Sequence, residues 1–228
     1  MALAGGKQKT GGSRGMLIVF EGLDRSGKST QCERLVEYLR RNGETVEHMR
    51  FPNRTTPIGQ MINSYLSGQI QQEDHVIHLL FSANRWESAK DIERHINAGT
   101  TVVIDRYAYS GCVYSAAKEV SNMDLAWCRQ PEVGLPRPDV CLFLDLSAED
   151  AAKRGGFGTE RYEKQDLQDR VRELYERMRD HSDEGEDIVR INAGRPVEEV
   201  EAQILRVISD TRRKVSEWAP ELRYMRPW

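Results

Sequence analysis

The chain reads as an α/β protein, a five-stranded parallel sheet with helices on both faces. Three observations carry that expectation. Five short apolar runs recur between residues 16 and 192, each followed by helical periodicity, which is the pattern of a parallel sheet covered on both sides. The first run, Leu17-Ile18-Val19-Phe20, stops at Glu21 and enters a glycine-bearing loop that opens a helix. No internal repeat or low-complexity block interrupts the alternation.

Residues 1–15 carry Lys7, Lys9 and Arg14, many glycines, no acid and no hydrophobic segment, so they read as a flexible leader rather than a secretory signal. The loop Gly22-Leu23-Asp24-Arg25-Ser26-Gly27-Lys28-Ser29 fits G-x-x-x-x-G-K-[ST] between a strand and a helix. Gly22 and Gly27 let the backbone curl so that successive N–H groups face an anion. Lys28 can reach the β- and γ-phosphates of a nucleotide, and the Ser29 hydroxyl can coordinate Mg²⁺. The helix that opens near Lys28 turns its positive dipole end to the same anion.

Leu35, Val36 and Leu39 share a face of that helix, and Asn42-Gly43 ends it. Residues 45–51 read as a short strand, and 55–66 and 74–98 as helices. The β-branched run 101–104 is a strand ending at Asp105. Residues 110–119 and 124–130 read as helical, and 131–138 as a loop with three prolines. A fourth strand covers 140–146, and a short helix 148–154. Leu167, Val171, Leu174 and Met178 stripe a helix over 166–181, followed by a strand at 187–191 and a helix at 197–215. The folded unit spans 16–216, and 217–228 reads as a C-terminal tail.

Composition narrows the partners. The net charge of −3 argues against bulk nucleic-acid binding, and no apolar run has the length of a membrane span. The four cysteines form no C-x-x-C pair, which favours reduced thiols and a cytoplasmic home. His75 and His78 lie three apart with no third ligand at a metal-binding spacing, so they read as helix or core residues.

In a parallel sheet, ligands bind beyond the carboxyl ends of the strands. That rule selects Glu21 and Asp24, then Arg50-Phe51-Pro52-Asn53-Arg54, then Asp105-Arg106-Tyr107. Arg54, Arg85 and Arg106 in one cleft would exceed what one nucleotide needs, and a second phosphorylated substrate explains the surplus. A phosphate loop by itself is equally at home in a GTPase, an ATPase motor or a small-molecule kinase.

Four blocks resemble the thymidylate kinase family, its eukaryotic branch most: FEGLDRSGKST at 20–30, RFPNR at 50–54, HLLFSANRWE at 78–87 and DRYAYSG at 105–111. AAKRGGFGTERYE at 151–163 resembles the family's lid, here bounded at about 151–166, and PEVGLPRPD at 131–139 its connecting loop. The resemblance runs from about residue 16 to 215. It implies the P-loop nucleoside monophosphate kinase fold, transfer of the γ-phosphate of ATP to dTMP to give dTDP and ADP, Mg²⁺, and a homodimer.

The resemblance also implies roles. Asp24, Arg25, Lys28 and Arg106 are the catalytic candidates, with Asp24 on the deoxyribose 3′-OH and Arg25 between donor and acceptor phosphates. The lid tip 155–159 has no basic residue to replace Arg25. ATP falls to Arg25, Ser26, Gly27, Lys28, Ser29, Thr30, Arg106, Arg154 and Arg195, the last in a segment that reads equally well as a strand-to-helix turn. Phe81 is expected to stack on thymine, Arg85 to meet its carbonyl and Arg54 the dTMP phosphate. Phe51, Ser110, Gly111 and Tyr114 line the acceptor pocket, and Tyr162 crowds the sugar 2′ position. Tyr114 stands where human-like members have phenylalanine. Asp105 joins Ser29 at Mg²⁺, and Phe51–Pro52 is a candidate cis peptide. Glu163 is a further lid contact. Two other readings stand beside this one: another deoxynucleotide or deoxynucleoside kinase on the same scaffold, and a nucleotide switch, which the missing N-K-x-D signal disfavours.

Overall fold

Five runs of sequence become the strands β1 (Leu17–Gly22), β2 (Val46–Arg50), β3 (Thr101–Asp105), β4 (Val140–Asp145) and β5 (Ile188–Asn192). They pair in parallel in the order β2-β3-β1-β4-β5. The computed structural model describes residues 14–147, 149–150, 162, 165–181, 184–218 and 221–228. Burial explains the spelling of each strand. β1, β3 and nearly all of β4 are buried on both faces and are continuous apolar runs. The edge strands β2 (VEHMR) and β5 (IVRIN) meet solvent and carry polar residues.

Seven α-helices lie among the described residues: α1 (Lys28–Arg41), α2 (Pro57–Leu66), α3 (Asp74–Asn97), α4 (Ala108–Ala116), α5 (Leu125–Arg129), α6 (Gln165–His181) and α7 (Val197–Trp218). The period-2 alternation of β1 divides the core between them. Leu17 and Val19 pack with Ile92 and Ile96 of α3, Val113 of α4 and Val171 of α6. Ile18 and Phe20 point the other way, to Leu35 and Leu39 of α1 and Ile204 and Ile208 of α7.

Local chemistry sets the starts of α2, α3 and α5. Thr56 caps α2, accepting from the Gly59 amide at 3.0 Å, with Pro57 in the first turn. Glu73 caps α3 and Asp124 caps α5 in the same way. The expectation for 110–119 differs from the structure, because α4 starts at Ala108 and stops at Ala116. Its cap comes from another strand: the Glu21 carboxylate accepts from the amides of Tyr107 and Ser110 at 3.0 and 2.9 Å. Beyond its end, Glu119 takes a φ of 57°, outside the helical region.

The expected helix at 148–154 lies outside the described residues apart from Glu149 and Asp150, which are helical. Most of the lid, including Arg154 and Glu163, and residues 1–13 of the leader also lie outside them. Residues 223–226, within the segment read as a tail, run back along the loop after α5. Pro136 and Tyr224 form an antiparallel bridge, and Met225 exchanges backbone hydrogen bonds with Gly134 and Leu135 at 3.0 and 2.9 Å.

Candidate active site

The carboxyl ends of β1, β2 and β3, with α2, α3 and α4, enclose a cleft of about 340 Å³. Every expected acceptor residue lines it: Asp24, Phe51, Arg54, Phe81, Arg85, Arg106, Ser110, Gly111, Tyr114 and Tyr162. Arg25 and Arg50 line it too. Arg195 does not. It stands beyond β5 in a separate hollow with Asn192, Glu199 and Gln203, its guanidinium 3.7 Å from Glu199.

The phosphate loop is built as its letters require. Gly22 and Gly27 have φ of 135° and 87°, and a Cβ on Gly22 would fall 2.4 Å from the Leu144 carbonyl oxygen. Arg25 and Arg106 hold φ of 64° and 66°, a region that L side chains enter at a cost. Both of these arginines face the cleft. The Lys28 ammonium lies inside the loop, donating to the Leu23 carbonyl at 2.5 Å and the Ser26 hydroxyl at 3.4 Å. Burial, and then the nearby Arg106 cation, push Lys28 down to about 7 against the pull of Asp24, Asp105 and Glu21.

Asp24 and Arg106 form an ion pair across the cleft floor. Burial pushes the Asp24 carboxyl up, but Arg106 and then Lys28 outweigh it and hold the group below the ordinary aspartate value. Asp24 also accepts from Gln168 at 2.8 Å and from the Tyr114 hydroxyl at 3.2 Å. Burial, then the Asp24 charge, raise the Tyr114 phenol, so it remains a protonated donor. The Arg106 guanidinium lies 5.4 Å from the centre of the Tyr114 ring.

Beside the loop, the Ser29 hydroxyl donates to Asp105 at 2.6 Å, and Arg50 approaches the same carboxylate at 3.6 Å. Among the described residues no group of three or more His, Cys, Asp or Glu could hold a metal. One hydroxyl and one carboxylate beside a phosphate cradle nevertheless suit Mg²⁺, which usually takes one or two protein ligands and completes its shell with phosphate oxygens and water.

On the acceptor side the Phe51–Pro52 peptide is cis. Asn84, fully buried in α3, pins the loop that follows: it accepts from the Asn53 amide at 2.7 Å and donates to Glu87 at 2.9 Å. That loop presents Arg54, which donates to Asn63 at 2.9 Å. Phe81 sits half-buried on the neighbouring turn of α3. Arg85 is buried and bidentate on Glu132, with Nε–Oε2 at 2.8 Å and Nη2–Oε1 at 2.5 Å. Burial alone would lower the Arg85 pKa, but Glu132 reverses the sign, so the guanidinium stays charged. Gly111 is needed here, since a Cβ would meet Arg85 Nη2 at 2.5 Å. The Tyr162 ring is 5.8 Å from Tyr114 and 6.3 Å from Tyr65, closing one side of the cleft.

Three residues that shape the site were given no role from sequence. Gln168 ties α6 to Asp24. Glu132 fixes Arg85 from a loop whose letters resemble a connector. Glu21, selected only as a strand end, is buried and accepts from Tyr107, Ser110 and Tyr175. A buried acid ending an apolar strand was the available signal for Glu21. Gln168 and Glu132 had none.

Comparisons with known proteins identify the family. The family described as thymidylate kinase matches residues 20–204. The thymidylate kinase of Homo sapiens is 52% identical over 165 residues, 72% of this chain and 77% of its own length. That of Arabidopsis thaliana is 49% identical over 207 residues, 91% of this chain and 76% of its own. The structure of thymidylate kinase from Candida albicans superposes with a TM-score of 0.81 at 34% identity, over 94% of this chain and 100% of that one. The chain belongs to the thymidylate kinase family.

Proposed function

We propose that this chain transfers the γ-phosphate of ATP to dTMP, giving dTDP and ADP. The observation that carries the reading is two adjoining halves, a phosphate loop and an arginine-rich cleft that the loop's Asp24 and Arg25 line. A nucleotide switch needs only the first half. A nucleoside kinase has no use for Arg54 and Arg106 at an acceptor phosphate.

The residues divide the work. The loop amides, Ser26, Gly27 and Thr30 cradle the ATP phosphates, with Lys28 on the β- and γ-oxygens. Arg25 and Arg106 face the charge that spreads over the transferring group. Arg54 holds the dTMP phosphate, Asp24 the 3′-hydroxyl, Phe81 the thymine face and Arg85 its carbonyl edge. Ser110, Gly111, Tyr114 and Phe51 close the pocket, and Tyr162 stands against a ribose 2′-hydroxyl. Ser29 and Asp105 would hold Mg²⁺, which when bound neutralises phosphate charge. On the adenine side the reading assigns Arg154 and Arg195. The lid role falls to residues 151–166, whose closure would exclude water.

A homodimer belongs to the same reading, supported by Val76, Leu79 and Trp86, large apolar side chains left exposed on α3. No helix among the described residues is long and apolar enough to cross a membrane. All four cysteines are buried and free, which supports a reducing compartment, the cytoplasm.

The test is ADP release from ATP and Mg²⁺ with dTMP, dUMP, dGMP, dCMP or thymidine as acceptor. Strong preference for dTMP is the expected result. Preference for thymidine, or turnover indifferent to the acceptor, would overturn the reading.

A further inference from the structure

The loop 131–138 contributes no side chain to the cleft wall, yet it carries the carboxylate that decides where Arg85 sits. Glu132 has no exposed surface, and Arg85 keeps only 2% of its own. Both Glu132 oxygens are engaged by Arg85, through Nε and Nη2. Among the described residues, Nη1 is the guanidinium nitrogen left without a protein acceptor, on a side chain that lines the cleft.

Glu132 is itself held on two sides. From α3, the Ser82 hydroxyl and the Trp86 indole donate to the Pro131 carbonyl at 3.0 and 2.7 Å. From the end of the chain, Met225 bonds Gly134 and Leu135, and the Arg223 carbonyl accepts from the Arg137 amide at 2.8 Å. That C-terminal segment is clamped in turn. Arg129 donates to the Arg226 carbonyl at 2.8 Å, pairs with buried Glu184, and lies 4.6 Å under the Trp228 ring. Fixed supports on both sides are what hold a buried arginine in one rotamer.

The geometry points to Glu132 as a positioning residue for the acceptor base: braced by the C-terminal segment, it turns Arg85 so that Nη1, which Glu132 does not engage, is left as a donor toward the cleft. The inference rests on the reading of Arg85 as the base contact. A donor fixed at that place favours a base whose edge offers a carbonyl, as thymine does, over cytosine, whose amino group there is itself a donor.

The experiment compares Glu132→Gln and Glu132→Asp with the unaltered chain, measuring KM for dTMP, KM for ATP and the dTMP-to-dCMP preference. The glutamine variant keeps the shape of the side chain but presents an amide to a donor. The aspartate variant keeps the buried charge, and so the fold, while drawing the carboxylate back by one methylene. Both are expected to raise KM for dTMP about tenfold and to erode the preference, with KM for ATP within about twofold. A structural role alone would lower Tm and leave the ratio of the two KM values unchanged. Arg85→Lys separates the two possible failures. If it impairs dTMP use while both Glu132 variants leave KM and preference unchanged, the positioning role is overturned. If Arg85→Lys also leaves both unchanged, the assignment of Arg85 to the base is what falls, and the inference with it.

Discussion

Arg25 offers a substitution whose effects on stability and turnover should separate. Its backbone sits at φ 64°, where an L residue is held at a cost of roughly 1–2 kcal/mol. Glycine enters that region freely, but its unfolded chain has more freedom to lose, worth about 0.5–1 kcal/mol. The half-buried side chain also gives up some packing. The terms nearly cancel, so Arg25→Gly should fall within about 1 kcal/mol of the unaltered chain. For a chain of 228 residues that means a Tm within about 4 °C. Turnover should behave differently. An arginine on the transferring phosphoryl group is worth about a thousandfold or more in kcat, which is about 4 kcal/mol at the barrier. The loop amides and Lys28 remain, so KM for ATP should change little. The assays are a thermal melt and steady-state ADP release at saturating dTMP. A variant that keeps kcat within about tenfold would refute the transition-state role. A Tm lowered by much more than about 4 °C would instead show that Arg25 is chiefly structural.

Other outcomes follow from buried charge. Removing the Glu21 carboxylate strands the Tyr107 and Ser110 amides and the Ser110 and Tyr175 hydroxyls, which it now accepts from. At about 1–3 kcal/mol for a stranded buried donor, with partial relaxation, Glu21→Ala should cost about 4 kcal/mol. A thermal melt should then show a fall of about 8–16 °C, and a fall under about 3 °C would deny the carboxylate its anchoring role. Lys28, held at about 7 without nucleotide, should be recharged when the anionic phosphates of ATP arrive beside it. ATP binding at pH 8 should therefore take up a proton, and affinity should weaken as pH rises above about 7, where the free protein holds a neutral amine. Because the folded pKa lies below the ordinary 10.5, stability without nucleotide should rise from about pH 7 towards that value as the penalty for a buried charge fades. Titration calorimetry in two buffers of different ionisation enthalpy reads the uptake, and identical enthalpies would count against it.

Much of the site was legible because its signals are local. The loop 22–29 declares its curl through Gly22 and Gly27, and both hold positive φ. Strand ends can be read from where apolar runs stop, and that rule brought Asp24, Arg54 and Arg106 to one cleft. Phe81, Arg85, Ser110 and Gly111 came from the family resemblance, since helical periodicity alone made Phe81 an ordinary core residue. The start of α4 was misplaced for a related reason: its cap is an acid 86 positions away from Tyr107.

By itself, then, the sequence determined the strands, the phosphate loop, the helices that follow them and the family. Those depend on periodicity, turn chemistry and motif spacing, all expressed within a few residues. Tertiary structure alone decided the strand order β2-β3-β1-β4-β5, the grip of Gln168 on Asp24 across 144 positions, and the pairing of Arg85 with Glu132 across 47. It also decided that the C-terminal segment braces the loop holding Glu132. A buried ion pair has no period and no preferred spacing in the chain. Its two residues look like surface charges until folding removes water from both, and only then does each become the partner that the other cannot lose.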